Sequence, residues 1–145
     1  MAQIKRLKLS FERKRVDDDL LHVPLVSAEH AYQLFREMEN EVREKVVCIH
    51  LTEKYEIISF EVVSIGTQTY AIADPVEILR GAVLVHAAKI IVIHNHPLGS
   101  PEPSEADIKG ARNLKEKGAV LNIELRDAII IGDEDFVSLA ERGLL

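Results

Sequence analysis

The segment Lys89-Ile90-Ile91-Val92-Ile93-His94 narrows the folds open to this chain more than any other. Successive strand residues point to opposite sides, so a run that is apolar and β-branched at every position must be covered on both faces. A central strand between two layers meets that demand. Pro97, Gly99, Pro101 and Pro103 then force a loop, and the next helix starts at Ser104, with Ile108, Ala111 and Leu114 facing inward and Gly118 ending it.

The other elements follow from spacing. Ala31, Leu34, Phe35 and Met38 recur at helical intervals behind a Ser27 cap, which predicts a helix over about 28–40. A strand at 44–51, a turn at Thr52 to Tyr55 and a second strand at 57–65 make an antiparallel hairpin. Asp74-Pro75-Val76-Glu77 sets a cap, a first-turn proline and an N3 glutamate in the order that opens a helix, here running to about residue 87. Two or three strands, at about 120–125, 127–131 and 136–139, finish the chain. The sum is an α/β or α+β fold, a mixed central sheet flanked by helices.

At 145 residues the chain suits one domain, and 47% hydrophobic against 29% charged residues excludes a disordered or low-complexity polypeptide. The most apolar stretch, Gly81 to Ile93, is broken by His86 and Lys89 and is too short for a membrane span, so none is expected. Residues 1–15 lack the apolar core of a secretory signal, and a cytoplasmic location is expected. Cys48 is the single cysteine, which rules out an internal disulfide and leaves nitrogen and oxygen as the main metal ligands.

Charge divides the chain into an arm and a body. Lys5, Arg6, Lys8, Arg13, Lys14 and Arg15 against Glu12 give residues 1–15 a net +5, so the remainder carries −11 of a total of −6. The acidic run Asp17-Asp18-Asp19 marks the end of the arm, giving a basic arm at 1–26 and one compact domain at 27–145. Such an arm suits weak contact with nucleic acid through phosphates, although the acidic body resists wrapping a duplex. The alternation Leu7, Leu9, Phe11 suits better an edge strand guarded by Lys and Arg.

The segment from His94 to Asp107 carries the chemistry. His94 and His96 stand two apart at a strand end and offer two imidazoles to one cation. Asp107 in the first turn of the next helix adds a carboxylate, and two His plus one carboxylate leave a fourth tetrahedral position open, as catalytic zinc sites do. Ser104, three residues before Asp107, is placed to donate to a developing oxyanion. Ser104 and Asp107 also form an N-cap and N3 pair that would start any helix. The letters His94-Asn95-His96 do not make an HNH nuclease, whose three residues are spread over a ββα unit. Neither an HExxH helix nor the paired-cysteine signature of deaminases is present. Cys48 and His50 share a strand face but have no third partner in the sequence and read as a core cysteine and a strand-edge histidine. His22, His30 and His86 belong to no constellation.

The spacing His94-x-His96-x7-Ser104-x-x-Asp107 resembles the JAMM motif of JAB/MPN metallopeptidases, and His94-Asn95-His96-Pro97-x-Gly99-x-Pro101-x-Pro103-Ser104 resembles the RadC branch in particular. Ile129-Ile130-Ile131-Gly132 and Val137-Ser138-Leu139-Ala140-Glu141-Arg142-Gly143 are similar to the RadC ending. The likeness covers about residues 27–145. Leu98 and Ser100 stand where that family is expected to carry Ser and Asp, and the short arm is not expected to hold the helix-hairpin-helix region of longer relatives.

The resemblance implies a cytidine-deaminase-like JAB/MPN fold with Zn2+ on His94, His96 and Asp107, and cleavage of peptide or isopeptide bonds in a peptide or protein substrate by a zinc-activated water. It also implies an upstream glutamate as general base where the first helix passes into the first core strand. Glu44 fits that place, with Glu39, Glu41, Glu53, Glu61 and Glu77 as other upstream candidates. The alternative function is a DNA-associated accessory or binding protein linked to repair or recombination, and a third is a scaffold with an unused site.

Overall fold

The computed structural model describes residues 1–16, 21, 23–65 and 74–145, with the side chains of 64 and 65 left aside. The Asp17-Asp18-Asp19 boundary and His22 lie outside them. Helix α1 (Ala28–Phe35) is capped by Ser27, whose Oγ accepts the His30 N–H. The expected helix over 28–40 does not continue regularly. Phe35 leaves helical geometry at φ −120°, ψ 18°, and Arg36–Asn40 tighten into a 3₁₀ helix that keeps Met38 buried.

Strands β1 (Lys45–Leu51) and β2 (Ile57–Ile65) form the expected antiparallel hairpin. Its turn is fixed by Thr52 Oγ1, which accepts the Lys54 and Glu56 N–H groups, with Tyr55 at φ +64°. Helix α2 (Pro75–Leu84) starts as expected from the Asp74 cap and Pro75 but stops three residues short of 87, because His86 turns left-handed at φ +57°. Strand β3 (Lys89–Asn95) is buried along its whole length. Helix α3 (Glu105–Val120) passes through Gly118 instead of ending there, and the Gly118 carbonyl closes the helix by accepting the Leu121 and Ile123 N–H groups.

Of the two or three strands expected here there are two: the segments at 120–125 and 127–131 are one strand, β4 (Glu124–Ile131), and residues 120 and 121 close the helix. A register shift between Ile90 and Ile91 passes over Arg126. Asp127 stays inside the strand because its buried carboxylate accepts the Ala128 and Ala140 N–H groups and the Ser138 hydroxyl. Strand β5 (Phe136–Ser138) completes a five-stranded sheet of order β2-β1-β3-β4-β5, with β3 and β4 parallel and the other pairs antiparallel.

Alternation on the central strands sorts two cores. Val47, Ile49, Ile91, Ile93, Ile129 and Ile131 pack under α1, while Val46, Cys48, Ile90 and Val92 pack under α2 and α3. Leu25 is already fully buried in the first core. The arm does not form the edge strand its alternation suggested: residues 1–16 hold no secondary structure, and Leu7, Leu9 and Phe11 are 78%, 58% and 70% exposed. The mixed α+β architecture expected from the sequence is the one observed.

Candidate metal centre

The parallel step from β3 to β4 requires a crossover, and α3 supplies it. The end of β3 therefore faces the start of α3, and His94, His96 and Asp107 converge in that crevice. His94 Nε2 lies 3.3 Å from His96 Nε2 and 3.3 Å from Asp107 Oδ1, and His96 Nε2 lies 3.2 Å from Asp107 Oδ2. Two ligand atoms each about 2.0–2.1 Å from a tetrahedrally held ion stand about 3.3 Å apart. The separation of the two imidazole nitrogens fits that geometry, and each imidazole faces a different oxygen of the Asp107 carboxylate.

The fold orients His96 and Asp107 through hydrogen bonds, whereas the buried His94 Nδ1 has no partner among the described residues. His96 N–H is bonded to the Ile131 carbonyl at 2.8 Å, and its Nδ1 lies 2.9 Å from the Ser100 carbonyl oxygen. A carbonyl accepts only, so Nδ1 carries a proton; Nε2 donates to Asp107 while the ring is protonated and, in the neutral ring, presents its lone pair to a cation. The Ser100 segment is held by the Gly99 N–H on the His96 carbonyl, the Asp133 N–H on the Gly99 carbonyl and a two-pronged Arg142–Glu102 ion pair at 2.8 and 2.9 Å. Gly99 takes φ +102°, and Gly132 packs so closely under this loop that an added Cβ would collide with the Gly99 carbonyl oxygen.

Asp107 is 4% exposed and closes a capping box: its Oδ2 accepts the Ser104 N–H at 2.8 Å while Ser104 Oγ accepts the Asp107 N–H at 3.0 Å. Burial works to raise the Asp107 pKa, but hydrogen bonds from His94, His96 and the Ser104 backbone outweigh it and hold the carboxyl well below its usual range. The same hydrogen bond to Asp107 raises the His96 imidazole.

Glu44 precedes β1 and is half-buried, and its carboxylate joins the ring nitrogens of His94 and His96 within 4.8 Å, an arrangement that can hold a metal ion. The other upstream glutamates are engaged elsewhere: Glu39 with Tyr32 and Arg36, Glu41 with Lys45, Glu53 with Lys89 and Glu77 with Arg80, while Glu61 lies against Gly81 of α2. Asn95 is a positioning residue that no sequence motif singles out. Its side chain accepts the Lys45 N–H at 2.7 Å and donates to the carbonyls of Arg43 at 3.1 Å and Glu41 at 3.4 Å, so it ties the segment carrying Glu44 to β3. A buried-strand position with an amide between two histidines was the available signal. His50 is buried, not at an open edge, and pairs through Nδ1 with Ser59 Oγ at 2.8 Å.

A five-stranded mixed sheet with two histidines at the end of its central strand and a carboxylate on the crossover helix defines an α+β domain with a candidate metal site. A family profile described as RadC-like JAB domain matches residues 25–144, and the chain belongs to that family. It is 43% identical over 117 residues to a UPF0758 protein of Protochlamydia amoebophila, covering 80% of this chain and 51% of that protein. It is 35% identical over 148 residues to a UPF0758 protein of Methanosarcina acetivorans, covering 99% of this chain and 65% of the relative. A UPF0758 protein of Bacillus licheniformis is 45% identical over 103 residues, 71% of this chain and 46% of that one. The chain thus spans about half to two thirds of the length of these relatives.

Proposed function

We propose that this chain is a zinc-dependent hydrolase of peptide or isopeptide bonds in a protein substrate. The observation that carries the reading is the set of separations of 3.2 to 3.3 Å among His94 Nε2, His96 Nε2 and the two Asp107 oxygens, beside a half-buried Glu44 carboxylate. His94, His96 and Asp107 would hold the ion, and two nitrogen ligands argue for zinc over the oxygen-seeking Ca2+ and Mg2+. When bound, the ion supplies Lewis-acid polarisation of the scissile carbonyl and lowers the pKa of a water molecule.

Glu44 takes the proton from the attacking water and returns it to the leaving amine. Ser104 Oγ already accepts the Asp107 N–H, which leaves its own O–H free to donate to the carbonyl oxygen as that oxygen gains charge. Ser104 is exposed and Asp107 is buried behind it, so substrate meets the hydroxyl from the solvent side.

Elemental analysis of protein purified without added metal tests the reading. About one zinc per chain is expected, lost in His96→Ala and in Asp107→Ala. Glu44→Gln should keep zinc and abolish peptide and isopeptide hydrolysis. Loss of zinc in Glu44→Gln would make Glu44 a ligand, and failure of the wild type to take up zinc would overturn the reading.

A further inference from the structure

We propose that residues 4–11 add as a sixth strand to the β2 edge of a second copy of this chain, the two copies exchanging arms about a two-fold axis. The inference does not rest on the hydrolase reading. It starts from an open edge: β2 is nine residues long, ends the sheet and is paired only with β1 among the described residues. A free edge of that length is a template for another strand.

The arm carries a complementary pattern. In an extended segment Leu7, Leu9 and Phe11 share one side and Lys8 and Ser10 the other. Ile4, Leu7, Leu9 and Phe11 are all largely exposed, which is costly for a segment that stays alone in water. Backbone pairing along β2 would satisfy the edge while alternate side chains find cover, the usual economy of strand addition.

Charge selects the occupant. The arm carries +5 over its first fifteen residues and the rest of the chain −11, so a second copy brings its own complement, and Glu56 stands exposed beside the start of β2, next to Glu53, which Lys89 already pairs. The root of the arm also lies at the right place. Lys14 Nζ is bonded to Glu37 at 2.7 Å and sits 5.7 Å from the Phe60 ring centroid. Phe60 is the fourth of the nine β2 residues, so an arm folded back on its own chain meets only part of the edge. With root and acceptor edge side by side on each copy, one two-fold axis next to β2 lets both arms cross, a self-complementary interface.

Light scattering and hydrogen exchange on the full chain test this. The expected result is a species of twice 16.3 kDa, with amide protection across 4–11 and 57–65 that rises with protein concentration. Deleting residues 1–12, or Leu9→Pro, should halve the mass and expose the β2 amides, and both changes fall in exposed chain that the folded body does not need. A monomer at every concentration up to near-millimolar overturns the proposal, as does a dimer that survives deletion of the arm. Protection across 4–11 in a species of 16.3 kDa overturns it in favour of pairing within one chain. A monomer that binds duplex DNA, and loses that binding with the arm, overturns it in favour of a nucleic-acid contact.

Discussion

Asn95 holds the backbone on both sides of Glu44, accepting from the Lys45 N–H at 2.7 Å and donating to the Arg43 carbonyl at 3.1 Å. The strand that presents the two histidines thus also fixes the carboxylate opposite them. Asn95→Ala leaves buried backbone groups unpaired, at a cost of about 1–3 kcal/mol in stability. In the proposed hydrolase it should keep zinc while turnover falls with little change in KM, because Glu44 loses its position and the ligands do not. Zinc content and steady-state kinetics, taken well below the melting temperature, separate this from a purely structural role, which would leave turnover intact.

Gly132 sets a second expectation. A Cβ there would collide with the Gly99 carbonyl and lie 2.8 Å from the Pro101 nitrogen, so Gly132→Ala must push the 99–101 loop outward. That moves the Ser100 carbonyl away from His96 Nδ1 and frees the ring to turn. Zinc affinity should fall about 10–100-fold, the usual effect of losing a partner that orients a ligand. Competition against a chelator measures it, and wild-type affinity would show that the loop does not orient the ring.

Ser104 caps α3, and in the proposed hydrolase its hydroxyl also donates to the oxyanion; two substitutions separate these roles. Ser104→Ala loses the cap of α3 at about 1 kcal/mol, whereas Ser104→Gly costs only a few tenths, since glycine is tolerated at that position. Both lose the hydroxyl. If it donates to the oxyanion, turnover falls about 10²–10³-fold in both variants, whatever their stability. A loss of activity that follows melting temperature would assign Ser104 to the helix alone.

His50 gives a pH dependence away from the site. Burial pushes its imidazole down from 6.5 to about 4; Nδ1 meets Ser59 and Nε2 has no partner among the described residues. The unfolded chain therefore binds the proton more readily than the folded one between these values. Stability is full above about pH 6.5 and falls as pH drops towards 4, by up to about 3 kcal/mol. Urea unfolding of wild type and His50→Gln at pH 7 and pH 5 checks the sign: the wild type should lose more stability than the variant.

Local pattern and tertiary contact divide what the sequence reveals. The all-apolar run of β3 announces a two-sided strand, and Asp74, Pro75, Ser27 and Ser104 announce helix starts, because each acts on neighbours within a few residues. The His94, His96 and Asp107 spacing is legible for the same reason: a strand end, one loop and a helix start bring them together. Glu44 is separated from its site by the length of the hairpin and α2, and spacing alone leaves it among several glutamates. What singles it out in space is its approach to the histidines, held by the long-range grip of Asn95, which no local pattern encodes. The 126 region misleads in the opposite way, since a charged residue looks like a break until Asp127 is seen to satisfy three donors inside one continuous strand.

The central position of β3 has a consequence for how the protein can come into being. Its partners arrive from opposite directions along the chain, β1 from before α2 and β4 from beyond α3, and the His96 N–H waits for the Ile131 carbonyl. Contacts so distant in sequence close late, after the entropy of long loops has been overcome. A nascent chain released only as far as α3 therefore holds every proposed ligand yet lacks the support that aims them. In the proposed hydrolase, the crevice gains the carbonyl that holds His96 only when β4 docks beside β3.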